Sequence, residues 1–248
     1  MRTQQSSLRQ MSSTNSSVWI VGGSSPLAQA ISKELGSDHS IISFGRNSSC
    51  DRHIDLAYAE ETEDAFQKCI QELGVPEAIF FCQRFRPSAS DAGLTASALL
   101  AKATTVEVNP LLALNSTLMS LGKVDLNVRM IVFSSTVALR GQNQSPRFYS
   151  ITKSMVTGLL PFLTSEVIQL GCTWNCVLLS EFFKGDGAHT LERLKQLESV
   201  SKKHVQGRVP TVENIASFAR FMMSNTAIYM NGESIVFDGG YIKYGQDT

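Results

Sequence analysis

The chain is expected to form a single α/β domain built on a doubly wound, seven-stranded parallel sheet with helices on both faces. Three observations point there. Short apolar runs alternate with helical stretches from Val18 onward, and consecutive parallel strands must be joined by a long crossover, usually a helix. The 248 residues suit one core of this kind. With 43% apolar and 18% charged residues, the chain has enough to bury and too little charge for general disorder.

The elements follow in order. Residues 1–17 hold six Ser, three Gln, two Thr and one Asn and read as a floppy polar tail, so the folded domain is assigned to residues 18–248. Val18 to Val21 reads as the first strand, Pro26 to Leu35 as a helix with proline at its first turn, and Ile41 to Phe44 as the second strand. His53 to Leu56 reads as a short third strand. The helix from about Glu60 to Leu73 begins with carboxylates that suit its positive end. Strands at Ala78 to Cys82, Arg129 to Phe133, Thr173 to Leu179 and Ser234 to Phe237 complete the seven. Helices at Ala96 to Leu121, Phe148 to Leu170 and Val212 to Met223 lie between them. Phe182 to Arg208 fits no strand and reads as a binding loop.

Composition also excludes partners. Lys plus Arg equals Asp plus Glu at 22 each, so no net field draws the chain to nucleic acid or an anionic membrane. No apolar run approaches the length of a membrane span, and no apolar stretch near the start suits a secretory signal. The five cysteines, an odd number without a CxxC pair, read as reduced thiols of a cytoplasmic protein. His39, His53, His189 and His204 are scattered, so no metal site is expected.

Two segments carry chemistry. The first strand runs into Gly22-Gly23-Ser24-Ser25-Pro26. A strand, glycine turn and helix start can present free amides and a helix dipole to a pyrophosphate, or can simply make a tight turn. Tyr149-Ser150-Ile151-Thr152-Lys153 puts a phenol and an ammonium one helical turn apart, where the cation favours the phenolate.

These segments, with Asp55-Leu56, Asn109, Ser134-Ser135 and the run Asn231 to Gly240, occur in the order that resembles the short-chain dehydrogenases/reductases. The likeness covers residues 18–241. It implies a Rossmann domain, a nicotinamide dinucleotide and a small-molecule carbonyl or alcohol substrate. It also implies a homodimer or homotetramer formed through the two long helices. Tyr149 is the implied proton donor. Lys153 is implied to hold the nicotinamide ribose and favour the phenolate, Ser135 to bond the reacting oxygen, and Asn109 to hold a water behind Lys153. Thr136 is the alternative hydroxyl, since it stands at the family's usual spacing from the tyrosine, whereas Ser135 requires one extra residue between Gly141 and Tyr149. Gly22, Ser24, Ser25, Leu27, Arg46, Asp55, Leu56, Cys82, Tyr149, Lys153 and Phe182 are the implied cofactor contacts.

Gly45-Arg46 stands where a carboxylate would select NAD, so NADP (NADPH) is expected over NAD. The chain departs from the pattern at Pro26 and Ala28, at Phe81-Cys82-Gln83-Arg84 after the fourth strand, and at Leu179-Ser180 after the sixth. The expected function is NADPH-dependent carbonyl reduction. The alternative is a catalytically silent binder of dinucleotide or a partner. Arg84 and Arg86 could hold an anionic substrate, or pair with acids such as Asp91.

Overall fold

The computed structural model describes residues 17–122, 125–140, 146–185 and 189–244. Apart from Ser17, which opens the first strand, the expected polar tail lies outside the described residues. So does most of the stretch between Gly141 and Tyr149, where an extra residue was placed.

Seven strands form one parallel sheet in the order β3-β2-β1-β4-β5-β6-β7. They are β1 (Ser17–Val21), β2 (Ser40–Gly45), β3 (Arg52–His53), β4 (Ala78–Phe81), β5 (Arg129–Ser135), β6 (Thr173–Leu179) and β7 (Ser234–Phe237). The chain builds outward from β1 through β2 to β3, then returns across the sheet to place β4 on the other side of β1. The β1/β4 boundary is therefore the topological switch point, where an open parallel sheet leaves a crevice beyond its carboxyl ends.

Alternation along the strands feeds two cores. Val18 and Ile20 point to one face, with Phe80, Ile131, Phe133 and Val177. There they meet Leu27, Ile31 and Leu35 of α1 (Pro26–Leu35) and Ile215, Ala219 and Met222 of α7 (Val212–Met222). Trp19 and Val21 point to the other face, covered by α2 (Ala59–Leu73), α4 (Asn109–Ser120) and α5 (Arg147–Val167). On that side Trp19 packs on Phe44 and Phe81 on Trp174, with ring centres 5.1 and 5.5 Å apart. The Trp174 indole also donates to buried Asn115, which donates in turn to Glu166, so α4, α5 and β6 share one satisfied polar link.

Three expectations are corrected. The helix expected over Ala96 to Leu121 is broken at Val108 into α3 (Ala96–Glu107) and α4. Pro110 has no amide to continue the ladder, and proline disfavours helical geometry in the residue before it. The third strand is shorter than expected and lies earlier: only Arg52 and His53 pair with β2, and Ile54 and Leu56 turn into the core. The excursion after β6 contains a helix, α6 (Leu191–Ser201), capped by the Thr190 hydroxyl and packed through buried Leu197. Its start is tied down by a bridge between Phe183 and Thr211. A short α8 (Tyr241–Tyr244) follows β7.

Candidate active site

The β1/α1 turn lies at the switch point. Gly22 has φ +81°, and a β-carbon there would lie 2.6 Å from the Gln83 amide nitrogen, so glycine lets the turn lie against the backbone that leaves β4. The Gly22 and Gly23 amides both donate to the Phe44 carbonyl at 2.9 Å, and the Ser25 amide donates to the Gly22 carbonyl. The Ser25 hydroxyl, expected to face phosphate, accepts from the Ala28 amide at 3.2 Å and caps α1. Among the described residues the Ser24 and Leu27 amides remain without a backbone acceptor at the positive end of α1. Two free amides and a helix dipole at the switch point fit a dinucleotide's pyrophosphate.

Beyond this turn opens a cavity of about 550 Å³. Of the residues expected at the site, Ser25, Leu27, Cys82, Ser135, Tyr149, Lys153 and Phe182 line it. Gly22, Ser24, Arg46, Asp55, Leu56 and Asn109 do not. Leu56 belongs to the core with Phe44 and Phe66, because the chain turns inward after its short β3 pairing. Asp55 accepts from the Ala57 amide at 3.0 Å just before α2. Arg46 is 75% exposed, its Nε 4.0 Å from Asp55 Oδ1. Cys82 carries a thiol that burial pushes far above its ordinary range, so it stays protonated.

Tyr149 and Lys153 lie one turn apart on α5, and the ammonium is 5.6 Å from the tyrosine ring centre. Lys153 is no solvated surface residue: its Nζ meets Glu107 Oε2 at 2.6 Å, with the two side chains 5% and 2% exposed. The other carboxylate oxygen of Glu107 accepts from the Phe85 amide at 2.9 Å. Burying both charges is costly, and pairing plus a backbone donor offsets that cost. Asn109, expected to hold a water behind Lys153, opens α4 just past the Val108 break, and the carboxylate that meets the lysine directly is Glu107 at the end of α3. Sequence reasoning missed Glu107, although it is the one carboxylate between Ala96 and Leu121.

At the end of β5, Ser134, Ser135 and Thr136 all line the cavity. Ser134 donates to the Lys153 carbonyl, while the Ser135 hydroxyl accepts from the Val137 amide at 3.4 Å. Ser135 and Thr136 are thus both available to the cavity.

The cavity is also lined by basic side chains. Arg84, standing where the expected pattern has glycine, lays its guanidinium carbon 4.3 Å from the centre of the Tyr149 ring. Arg86, Lys184 and Arg193 line the same space. Arg193 is ion-paired with Glu181. Burial and the charges of Arg86 and Arg84 hold the Lys184 ammonium below its ordinary range. Asp91, the acid considered for Arg84 and Arg86, is bound instead by Lys102 at 2.5 Å and by Ser88.

The family model described as enoyl-(acyl carrier protein) reductase matches residues 28–242. Curated relatives include the 3-oxoacyl-(acyl-carrier-protein) reductase FabG of Rickettsia prowazekii, 32% identical over 114 residues, which are 46% of each chain. Another is (+)-borneol dehydrogenase 1 of Salvia officinalis, 26% identical over 45% of this chain and 44% of that one. The match thus spans less than half the length of these relatives. Among solved structures, a Serratia marcescens short-chain dehydrogenase/reductase superposes with TM-score 0.74 at 19% identity, covering 91% of this chain and 97% of that one. ElxO with NADP bound gives 0.75 at 18% identity, covering 92% and 99%. These superpositions establish a common fold.

Proposed function

As the chain belongs to the short-chain dehydrogenase/reductase family, we propose that it is an NADP(H)-dependent oxidoreductase interconverting a carbonyl and a secondary alcohol. The observation that carries this reading is the Tyr149/Lys153 pair facing a cavity at the sheet's switch point, with Ser135 and Thr136 beside it. The Ser24 and Leu27 amides would hold the dinucleotide's pyrophosphate, and Arg46 its 2'-phosphate.

When bound, the cofactor supplies a hydride to the carbonyl carbon. Tyr149 gives its hydroxyl proton to the carbonyl oxygen, so C=O becomes CH–OH. Ser135, or Thr136 in its place, donates a hydrogen bond to that oxygen and orients it. Lys153 stabilises the tyrosinate left behind, and Glu107 holds the ammonium in position while balancing its charge.

Exposed Leu112 and Met119 on α4, with Ile151, Met155 and Phe162 on α5, supply an apolar surface for a homodimer or homotetramer. Among the described residues no helix is long and apolar enough to cross a membrane. The five free thiols support a cytoplasmic setting.

A second reading, a silent binder of the same fold, is favoured by one observation: Arg84 covers the Tyr149 ring. Titration with NADPH and NADH followed by nicotinamide fluorescence, then turnover with a panel of ketones and oxo-sugars, separates the two. NADPH oxidation that depends on a ketone upholds the reductase; binding without any turnover upholds the silent binder.

A further inference from the structure

Besides Lys153, the cavity that Tyr149 lines carries four cations, Arg84, Arg86, Lys184 and Arg193, drawn from two segments far apart in the chain. One of them, Arg193, is matched by Glu181. Arg84, Arg86 and Lys184 take part in no ion pair among the described residues. The acid nearest in sequence to Arg86, Asp91, is committed to Lys102 and Ser88. Arg84 and Arg86 are exposed and Lys184 is half-buried, so water and salt screen part of their mutual repulsion, and a bound anion relieves what remains.

Their placement identifies the kind of anion. Arg84 stacks on the ring of Tyr149, and Arg86, Lys184 and Arg193 line the same cavity, so the cluster shares its space with the group assigned to proton transfer. It rises from the chain after β4, from the segment leaving β6 and from the first turn of α6, whereas the free amides for pyrophosphate lie on the β1/α1 turn.

Resting on the reductase reading above, we propose that the substrate carries a carboxylate or phosphate, held by Arg84, Arg86 and Lys184 with its carbonyl directed at Tyr149. Arg84 supplies a planar fork that can engage two anionic oxygens at once, and Lys184 supplies a point charge from the facing segment. The same chemistry has a second conceivable source, the phosphates of the cofactor, and the experiment separates the two.

Ketone pairs that differ in one anionic group are compared: 3-oxobutanoate with its ethyl ester, and dihydroxyacetone phosphate with dihydroxyacetone. Each is tested for kcat/KM with NADPH and, independently of turnover, for thermal stabilisation of the NADP-loaded full chain. At least one anion should exceed its neutral partner by about tenfold or more, the worth of one charge-assisted hydrogen bond. That preference should shrink as salt rises. In the double variant Arg86→Gln/Lys184→Gln it should collapse to about twofold or less, while the Kd for NADPH stays within about twofold of the parent.

Neutral partners performing as well as the anions in both measurements overturn the proposal. So does a double variant whose NADPH affinity falls as far as its anion affinity, which assigns the cations to the cofactor. Anion binding without turnover upholds the site and removes the reductase reading. Reduction of neutral ketones without preference removes the anion site and leaves the reductase reading standing.

Discussion

Lys153, which lines the cavity, and Glu107 stand 2.6 Å apart with 5% and 2% of their side chains exposed, while Arg46, outside the cavity lining, is 75% exposed and 4.0 Å from Asp55. Both pairs oppose a cation and a carboxylate, yet their energetics differ in kind. A buried pair is held because each member alone would be desolvated without compensation, so its geometry is rigid and its disruption severe. An exposed pair competes with water and salt, contributes little in the free protein and is free to exchange its partner for a ligand. The proposed chemistry therefore rests on the rigid pair and the proposed choice of cofactor on the adjustable one.

The largest test of this contrast is Glu107→Leu. Leaving Lys153 buried without its partner should cost about 3–5 kcal/mol of stability, read from urea denaturation, and adding Lys153→Met should recover most of it. A loss below about 1 kcal/mol would mean the pair behaves like an exposed one.

Next in size is Tyr149→Phe, which keeps the ring under Arg84 and removes one oxygen. Turnover should fall about 100-fold while NADPH affinity changes little. Retention of most of the activity would remove Tyr149 from proton transfer.

A smaller effect belongs to the exposed pair. Arg46→Ala should reduce the preference for NADPH over NADH by about threefold, since a contact in open water is heavily screened. Equal affinity of the parent protein for both cofactors, measured by fluorescence titration, contradicts the assignment of Arg46 to the 2'-phosphate.

The smallest concerns Asp91, whose pairing with Lys102 and Ser88 holds its carboxyl down to about 2. Because the folded value lies below the unfolded one near 4, the ionised form stabilises the fold. That contribution is complete above about pH 4 and disappears as the pH falls through about 2. Asp91→Asn should therefore flatten the loss of thermal stability between these limits. An unchanged acid profile would show that the Lys102 contact contributes nothing in solution.

Much of this molecule follows from local pattern. The apolar runs at Val18, Thr173 and Ser234 became strands, and Pro26 to Leu35 became a helix with the expected ends. The helix that seats Tyr149 and Lys153 on one face followed from spacing alone, because strand alternation and helical repeat act over neighbouring residues. The break at Val108 was written in Pro110, and α6 in Thr190 followed by Leu191, Leu194 and Leu197, yet both signals are short and were outweighed by the longer pattern around them.

From its sequence the chain determined the order of strands and helices, the glycine turn that opens α1, and the pairing of a phenol with an ammonium one turn on. What only the tertiary structure decided is what surrounds that pair. Glu107 reaches Lys153 from another helix, Arg84 reaches Tyr149 from the end of β4, and Lys184 and Arg193 close the same cavity from beyond β6. The physical reason is that such charges meet across the sheet's crossovers. Their spacing along the chain carries no period, and only the packing of the helices on the sheet sets which cation finds a carboxylate and which is left facing the cavity.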